Sequence, residues 1–95
     1  MIALNSLLTA VSDKTRWRVL DELQKHGPLP TSILAKNLNV DRPNLTHHLT
    51  FMKKAGLLEQ VMGRIYRIPE KYLVQGQRAV DFGAVVLRFD KAQHK

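Results

Sequence analysis

Apolar positions along the chain recur first at helical spacing and then, after Gly56, at strand spacing. In residues 2–11, IALNSLLTAV, the side chains of Ile2, Leu4, Leu7, Leu8 and Val11 fit one face of an uncharged amphipathic helix. Such a helix either packs as core within its own chain or pairs with a second copy, since apolar subunit contacts and cores share composition. Ser12 or Asp13 can cap a second helix running to about His26, with Val19, Leu20 and Leu23 inward and Trp17 beside them. Gly27 and Pro28 end it, and His26 sits where a cation suits a helix C-terminus. Pro30 and Thr31 open a short third helix, Thr31 to Leu38, with Ile33, Leu34 and Leu38 as its apolar face, Asn39 as its stop and Val40 packing beyond.

The stretch Asp41 to Gly56, DRPNLTHHLTFMKKAG, predicts a fourth helix. The Asp41 carboxylate can accept from free first-turn N–H groups, and Pro43 sits in that turn without losing a hydrogen bond. Leu45, Leu49 and Met52 recur at i, i+4 and i+7 and predict a core side. Pro43, Thr46, His47, Thr50, Lys53 and Lys54 fall on the other side, polar and basic with no acid among them. Gly56 tolerates the positive φ of a helix end, and the two lysines suit the helix dipole. A break at Asn39 to Arg42 separates this helix from the third. Two short helices on so tight a turn match the helix-turn-helix pattern, in which the second helix enters the major groove by its N-terminal residues.

Beyond Gly56, Leu57 to Met62 and Ile65 to Ile68 are β-prone runs separated by Gly63 and Arg64, which predicts a hairpin. Arg64 and Arg67 flank its tip, where an arginine can enter a minor groove or bind phosphate. Glu70 to Leu73 can form a turn of helix, and Gln75 to Gln77 read as loop. In the tail, Val80, Ala84, Val85 and Leu87 could line a helix, but Gly83 interrupts it and VVLRF is β-prone, so a terminal strand over Ala84 to Phe89 is expected. Asp90 to Lys95 reads as a frayed polar end. The expected fold class is mainly α with a small β-hairpin, a winged helix-turn-helix, in one domain over residues 1–95.

Charge narrows the partner. Fifteen Lys and Arg against eight Asp and Glu in 95 residues give a formal net charge of +7, which favours a polyanion such as nucleic acid. Ribosomal and membrane-surface proteins share that bias. No apolar run reaches the ~18 residues of a membrane span, and no signal-peptide pattern opens the chain, so the expected location is cytoplasmic with no membrane partner. With no cysteine, disulfides, thiolate metal sites and thiol redox sensing are excluded for this sequence. An enzyme is not expected. There is no GxSxG and no GxxxxGK[ST], and the DFG at Asp81 to Gly83 lacks the other parts of a kinase. Ser6, Ser12 and Ser32 read as helix surface or caps. His47 and His48 project about 100° apart and do not converge on one metal; His47 faces outward, whereas His48 lies nearer the core in a hydrogen-bonded packing role.

The segments VSDKTRWRVLDEL, VDRPNLTHHLTFMKKAGLL and GRIYRI together resemble the second helix, recognition helix and wing of the ArsR/SmtB group of winged-helix transcriptional repressors. The resemblance covers roughly residues 5 to 68. It implies a homodimer that binds double-stranded DNA at a pseudo-palindromic operator. It also implies that Arg42, Pro43, Thr46 and His47 read bases, with Asn44, Lys53 and Arg64 suited to phosphate or wing contacts. Thr50, Lys54 and Arg67 complete that basic face, and Arg16 near the start of the second helix is a further candidate for phosphate, more so than Arg18. The family's dimerisation through its N-terminal helix and C-terminal segment implies an interface of Ile2, Leu4, Leu7, Leu8, Val85 and Leu87.

The departures from the family concern sensing. Where many members carry a CxC metal site, this chain has Pro30, Thr31 and Ser32. Of a C-terminal zinc site only Asp81 and His94 are on offer, too few ligands for tetrahedral zinc. No metal and no cofactor is expected. Two other readings compete with DNA binding. One is a winged helix used purely for protein contacts, which would cover Asp41 to Gly56 with apolar partners; the other is RNA binding, which would need Phe51 and Tyr66 exposed for stacking.

Overall fold

A computed structural model describes residues 2–90. The helices are α1 (Leu4–Val11), α2 (Lys14–His26), α3 (Thr31–Leu38) and α4 (Arg42–Lys54). They are joined by strands β1 (Leu29–Pro30), β2 (Glu59–Val61) and β3 (Ile65–Arg67), a short 3-10 turn at Glu70–Tyr72, and a final pair, β4 (Ala79–Asp81) and β5 (Val86–Arg88).

Local chemistry sets the helix ends. Asp13 caps α2 by accepting from the Arg16 N–H at 3.0 Å, and Asp41 caps α4 by accepting from the Asn44 N–H at 3.1 Å. Asn39 ends α3 in the left-handed conformation, φ 56°, while the Val40 N–H reaches back to the Ala35 carbonyl. Gly56, φ 90°, ends α4 in the same way, with Leu57 N–H on Met52 O at 2.9 Å and Gly56 N–H on Lys53 O at 3.0 Å. These two stops make the turn before α4 and the exit after it abrupt. The break before α4 is one residue shorter than expected, since helix begins at Arg42.

Leu45, Leu49 and Met52 of α4 are fully buried against Leu7, Val19, Leu20, Leu23 and Leu34. The predicted core side of α4 is therefore the observed one. On α3 the expectation fails at Ile33, which is 39% exposed; the buried face is Thr31, Leu34, Ala35 and Leu38. The i, i+3, i+4, i+7 set starting at Thr31 uses a threonine as its first member, which an apolar-only reading overlooks.

The wing is a three-stranded antiparallel sheet in the order β1-β3-β2. Gln60 stands opposite Tyr66 and Val61 opposite Ile65, and Leu29 and Pro30 add a short edge by pairing with Tyr66 and Ile65. Pro30 is tolerated there because an edge strand need not donate on both sides. This first strand was not expected: two residues carry no periodicity of their own, and β3 creates the element. In the tail the strand expectation holds, as Val86–Arg88 pairs with Ala79–Asp81, a partner strand also not foreseen. Trp17 meets Phe89 at 4.9 Å between ring centroids, and Tyr72 meets Phe82 at 5.0 Å, pinning this hairpin to the helices. His94 and the expected frayed end from residue 91 lie outside the described residues.

The proposed interface set splits. Ile2, Leu7 and Leu87 are buried in their own chain, Ile2 packing beside Gly56 at the exit of α4. They serve as core, because a helix of eight residues has apolar positions on more than one side and Leu7 takes the inner one. Leu4 and Leu8 are each 50% exposed, Val85 is half-buried, and on β5 it is Val86, rather than Leu87, that points outward.

Candidate nucleic-acid interface

The α4 cap at Asp41 and the burial of Leu45, Leu49 and Met52 fix which side of the helix faces out. That side carries Arg42, Pro43, Asn44, Thr46, His47, Thr50, Lys53 and Lys54, all exposed. No acid interrupts it. Between its first turns and the wing lies an open groove of about 510 Å³ lined by Thr31, Arg42, Pro43, Thr46, Gln60, Arg64 and Tyr66. Arg64 is thus brought to the same groove as Arg42 and Thr46, from 18 or more residues away along the chain. A second depression, of about 290 Å³, is formed by Thr50, Lys53 and Lys54.

Two contacts hold the wing in place. The Thr31 backbone N–H and hydroxyl both donate to the Arg64 carbonyl, at 3.0 and 3.1 Å, tying the start of α3 to the wing tip. Lys53 Nζ donates to Gln60 Oε1 at 3.0 Å, and Gln60 Nε2 donates to the Gly63 carbonyl, linking the last turn of α4 to the same tip. Lys53 keeps two further donors for an anion. Thr31 and Gln60 were missed in the sequence because their partners lie on other elements, and no local pattern encodes them.

Two expected contact residues are engaged elsewhere. Arg16 donates from Nε to Ala10 O at 3.2 Å, from Nη2 to Thr9 O at 3.0 Å, and from Nη1 to His48 Nδ1 at 3.1 Å, with its guanidinium 4.9 Å from the Phe51 ring centre. The side chain closes the end of α1 and ties it to α4, so it is a structural clamp rather than a free cation. Arg67 pairs with Glu59 at 2.9 Å, a cross-strand partner that neutralises it. Arg18 donates to Leu38 O at 2.8 Å and closes α3. His48 takes the packing role expected of it, and His47 stays exposed with its ring centroid 6.1 Å from that of His48.

The aromatic side chains needed for RNA stacking are not on offer. Tyr66 is 7% exposed, and Phe51 is half-buried under Arg16. Asp81 accepts from the Gly83 N–H at 2.8 Å and forms a turn, and among the described residues no three His, Cys, Asp or Glu cluster as a metal site would require.

An outward basic helix set behind a tight turn and flanked by a sheet with a basic tip defines a winged helix-turn-helix protein. The helix-turn-helix domain family matches residues 11–61, more than half of the chain, and the protein belongs to that family, with the ArsR/SmtB-like arrangement of helices and wing. The transcriptional repressor SdpR of Bacillus subtilis (strain 168) is 34% identical over 55 residues, 58% of this chain and 60% of that protein. The HTH-type transcriptional regulator Rv2034 of Mycobacterium tuberculosis (strain ATCC 25618 / H37Rv) is 41% identical over 49 residues, 52% of this chain and 45% of that protein. The chain thus spans about half the length of these curated relatives. Among solved structures, an ArsR family transcriptional regulator matches at a TM-score of 0.57 and 28% identity over 72% of each chain. The cadmium metal-sensor CMTR from Mycobacterium tuberculosis matches at 0.58 and 25% over 97% of this chain and 98% of that one. HlyU from Vibrio cholerae N16961 shares the fold at 0.60 and 23% over 66% and 71%.

Proposed function

We propose that the protein is a transcriptional regulator that binds double-stranded DNA as a homodimer at a pseudo-palindromic operator and represses from it. The acid-free outward face of α4 carries this reading, because it is exposed over its whole length and continues into Arg64 on the wing. Arg42, Pro43, Thr46 and His47, on the first turns, are the base readers; Asn44, Thr50, Lys53, Lys54 and Arg64 hold the backbone. Base contacts set sequence preference and the cationic contacts set affinity. The family match and the names of SdpR and Rv2034 support the class of activity.

The homodimer reading is supported by Leu4 and Leu8, which leave apolar surface on α1, and by Val86 on the last strand. The 95 residues act as one domain. The regulator works in the cytoplasm, in keeping with the lack, among the described residues, of any helix long and apolar enough to cross a membrane. No metal enters this reading, since the chain carries no cysteine and Asp81 is used in a turn.

Selection of bound duplexes from a random library tests the proposal. The expected result is an enriched motif with two-fold symmetry and half-sites about one or two helical turns apart. A library that emerges without enrichment would overturn sequence-specific binding.

A further inference from the structure

Met62 is 89% exposed, far beyond the next most exposed large apolar side chain among the described residues, Val86 at 51%. It stands at the tip of the wing, between Val61 at the end of β2 and Gly63. Its φ is +45°, a conformation that side chains larger than Gly, Asn or Asp seldom adopt and that turn chemistry normally assigns to those residues. Met52, by contrast, fills core at 0% exposure. At residue 62 neither solubility nor backbone preference favours an apolar side chain. One exposed methionine is ordinary on a protein surface, but one held in a backbone conformation that costs free energy is an outlier from which a function can be inferred.

The tip is also braced. Val61 pairs with Ile65 across the hairpin, the Gly63 carbonyl accepts from Gln60, and the Arg64 carbonyl accepts twice from Thr31. A side chain mounted on so fixed a tip can press against a partner without the loop giving way. Arg64, two residues on and exposed, supplies the cation that draws the tip toward a negatively charged groove.

We propose that Met62 is an apolar wedge that enters the minor groove beside the half-site read by α4 and parts two stacked base pairs there. The inference rests on the DNA-binding reading above and adds to it a deformation. The unbranched thioether adapts to the irregular gap between unstacked bases. A wedge of this kind kinks the duplex by about 20–90° toward the major groove. Because TA and CA/TG steps open most easily, the wing selects sequence at a step outside the reach of α4.

The test uses duplexes of about 30 base pairs, recovered by the wild-type protein from a random library, with a dye at each end. Anisotropy reads binding and energy transfer between the dyes reads bending. Wild-type protein raises the transfer; Met62→Ala abolishes the rise while affinity falls by about tenfold or less, and Met62→Leu restores it. Thermal unfolding of Met62→Ala at or above the wild-type temperature separates this from a structural role. Binding by wild-type protein without bending, or unchanged bending by Met62→Ala, would overturn the wedge alone. An absence of any anisotropy change with wild-type protein would overturn the DNA-binding reading, and the wedge with it.

Discussion

Arg16 Nη1 on α2 lies 3.1 Å from His48 Nδ1 on α4. Arginine can only donate, so this ring nitrogen is the acceptor and the ring proton of the neutral imidazole sits on Nε2. Through its other nitrogens the same guanidinium holds the carbonyls of Thr9 and Ala10, so one side chain joins the end of α1 to the recognition helix. Arg16→Ala and His48→Ala should each destabilise the fold, and a double-mutant cycle in urea should return a coupling of about 0.5–1.5 kcal/mol. Additive losses would show that the bond does not couple the two helices.

Asp13 caps α2 beside this clamp. The bond from the Arg16 backbone N–H holds its carboxyl below the ordinary value of 3.8, with the charge of Arg16 and the Thr15 backbone N–H acting in the same sense and burial opposing them. A lowered folded-state pKa means stability that is present above the unfolded value and is lost as pH falls through the folded one. Asp13→Ala should cost about 1 kcal/mol at neutral pH, with the gap to wild type closing in acid. Asp13→Asn, which still caps, should remove that pH dependence, as thermal melts between about pH 7 and about pH 2 would show.

Leu4, Leu7 and Leu8 sit on one short helix and have different surroundings. Leu8→Asp, at a half-exposed position, should leave the fold intact and shift the proposed homodimer to monomer in sedimentation velocity. Binding to a duplex with two half-sites should then weaken by about 10²-fold, because linked sites no longer act together. Leu7→Asp places a charge in the core and should unfold the chain instead. A Leu8→Asp protein that remains dimeric would move the interface off α1.

How much the sequence disclosed depended on how far each cause lies along the chain. The recognition helix was legible because its cap, core side and stop are Asp41, Leu45, Leu49, Met52 and Gly56, all within one stretch. The wing was legible from Gly63 and its flanking β-prone residues. What stayed hidden was pairing at a distance. Charge alone made Arg16 and Arg67 look like free cations, whereas His48 and Glu59 engage them. Strand β1 exists only because β3 lies beside it. Leu87 and Val86 differ by one position, and only the pairing with Val80 and Asp81 decides which of them faces in.

Binding of duplex DNA by the outward face of α4 and the wing is tested most directly by its salt dependence in anisotropy, with wild-type protein, Lys53→Ala and Arg64→Ala. Both side chains are exposed, one at the end of the recognition helix and one on the wing. Log affinity should fall linearly with log salt, and each substitution should weaken binding to all sequences and flatten the slope by about one unit. Affinity that is independent of salt and survives both substitutions would contradict binding by these surfaces.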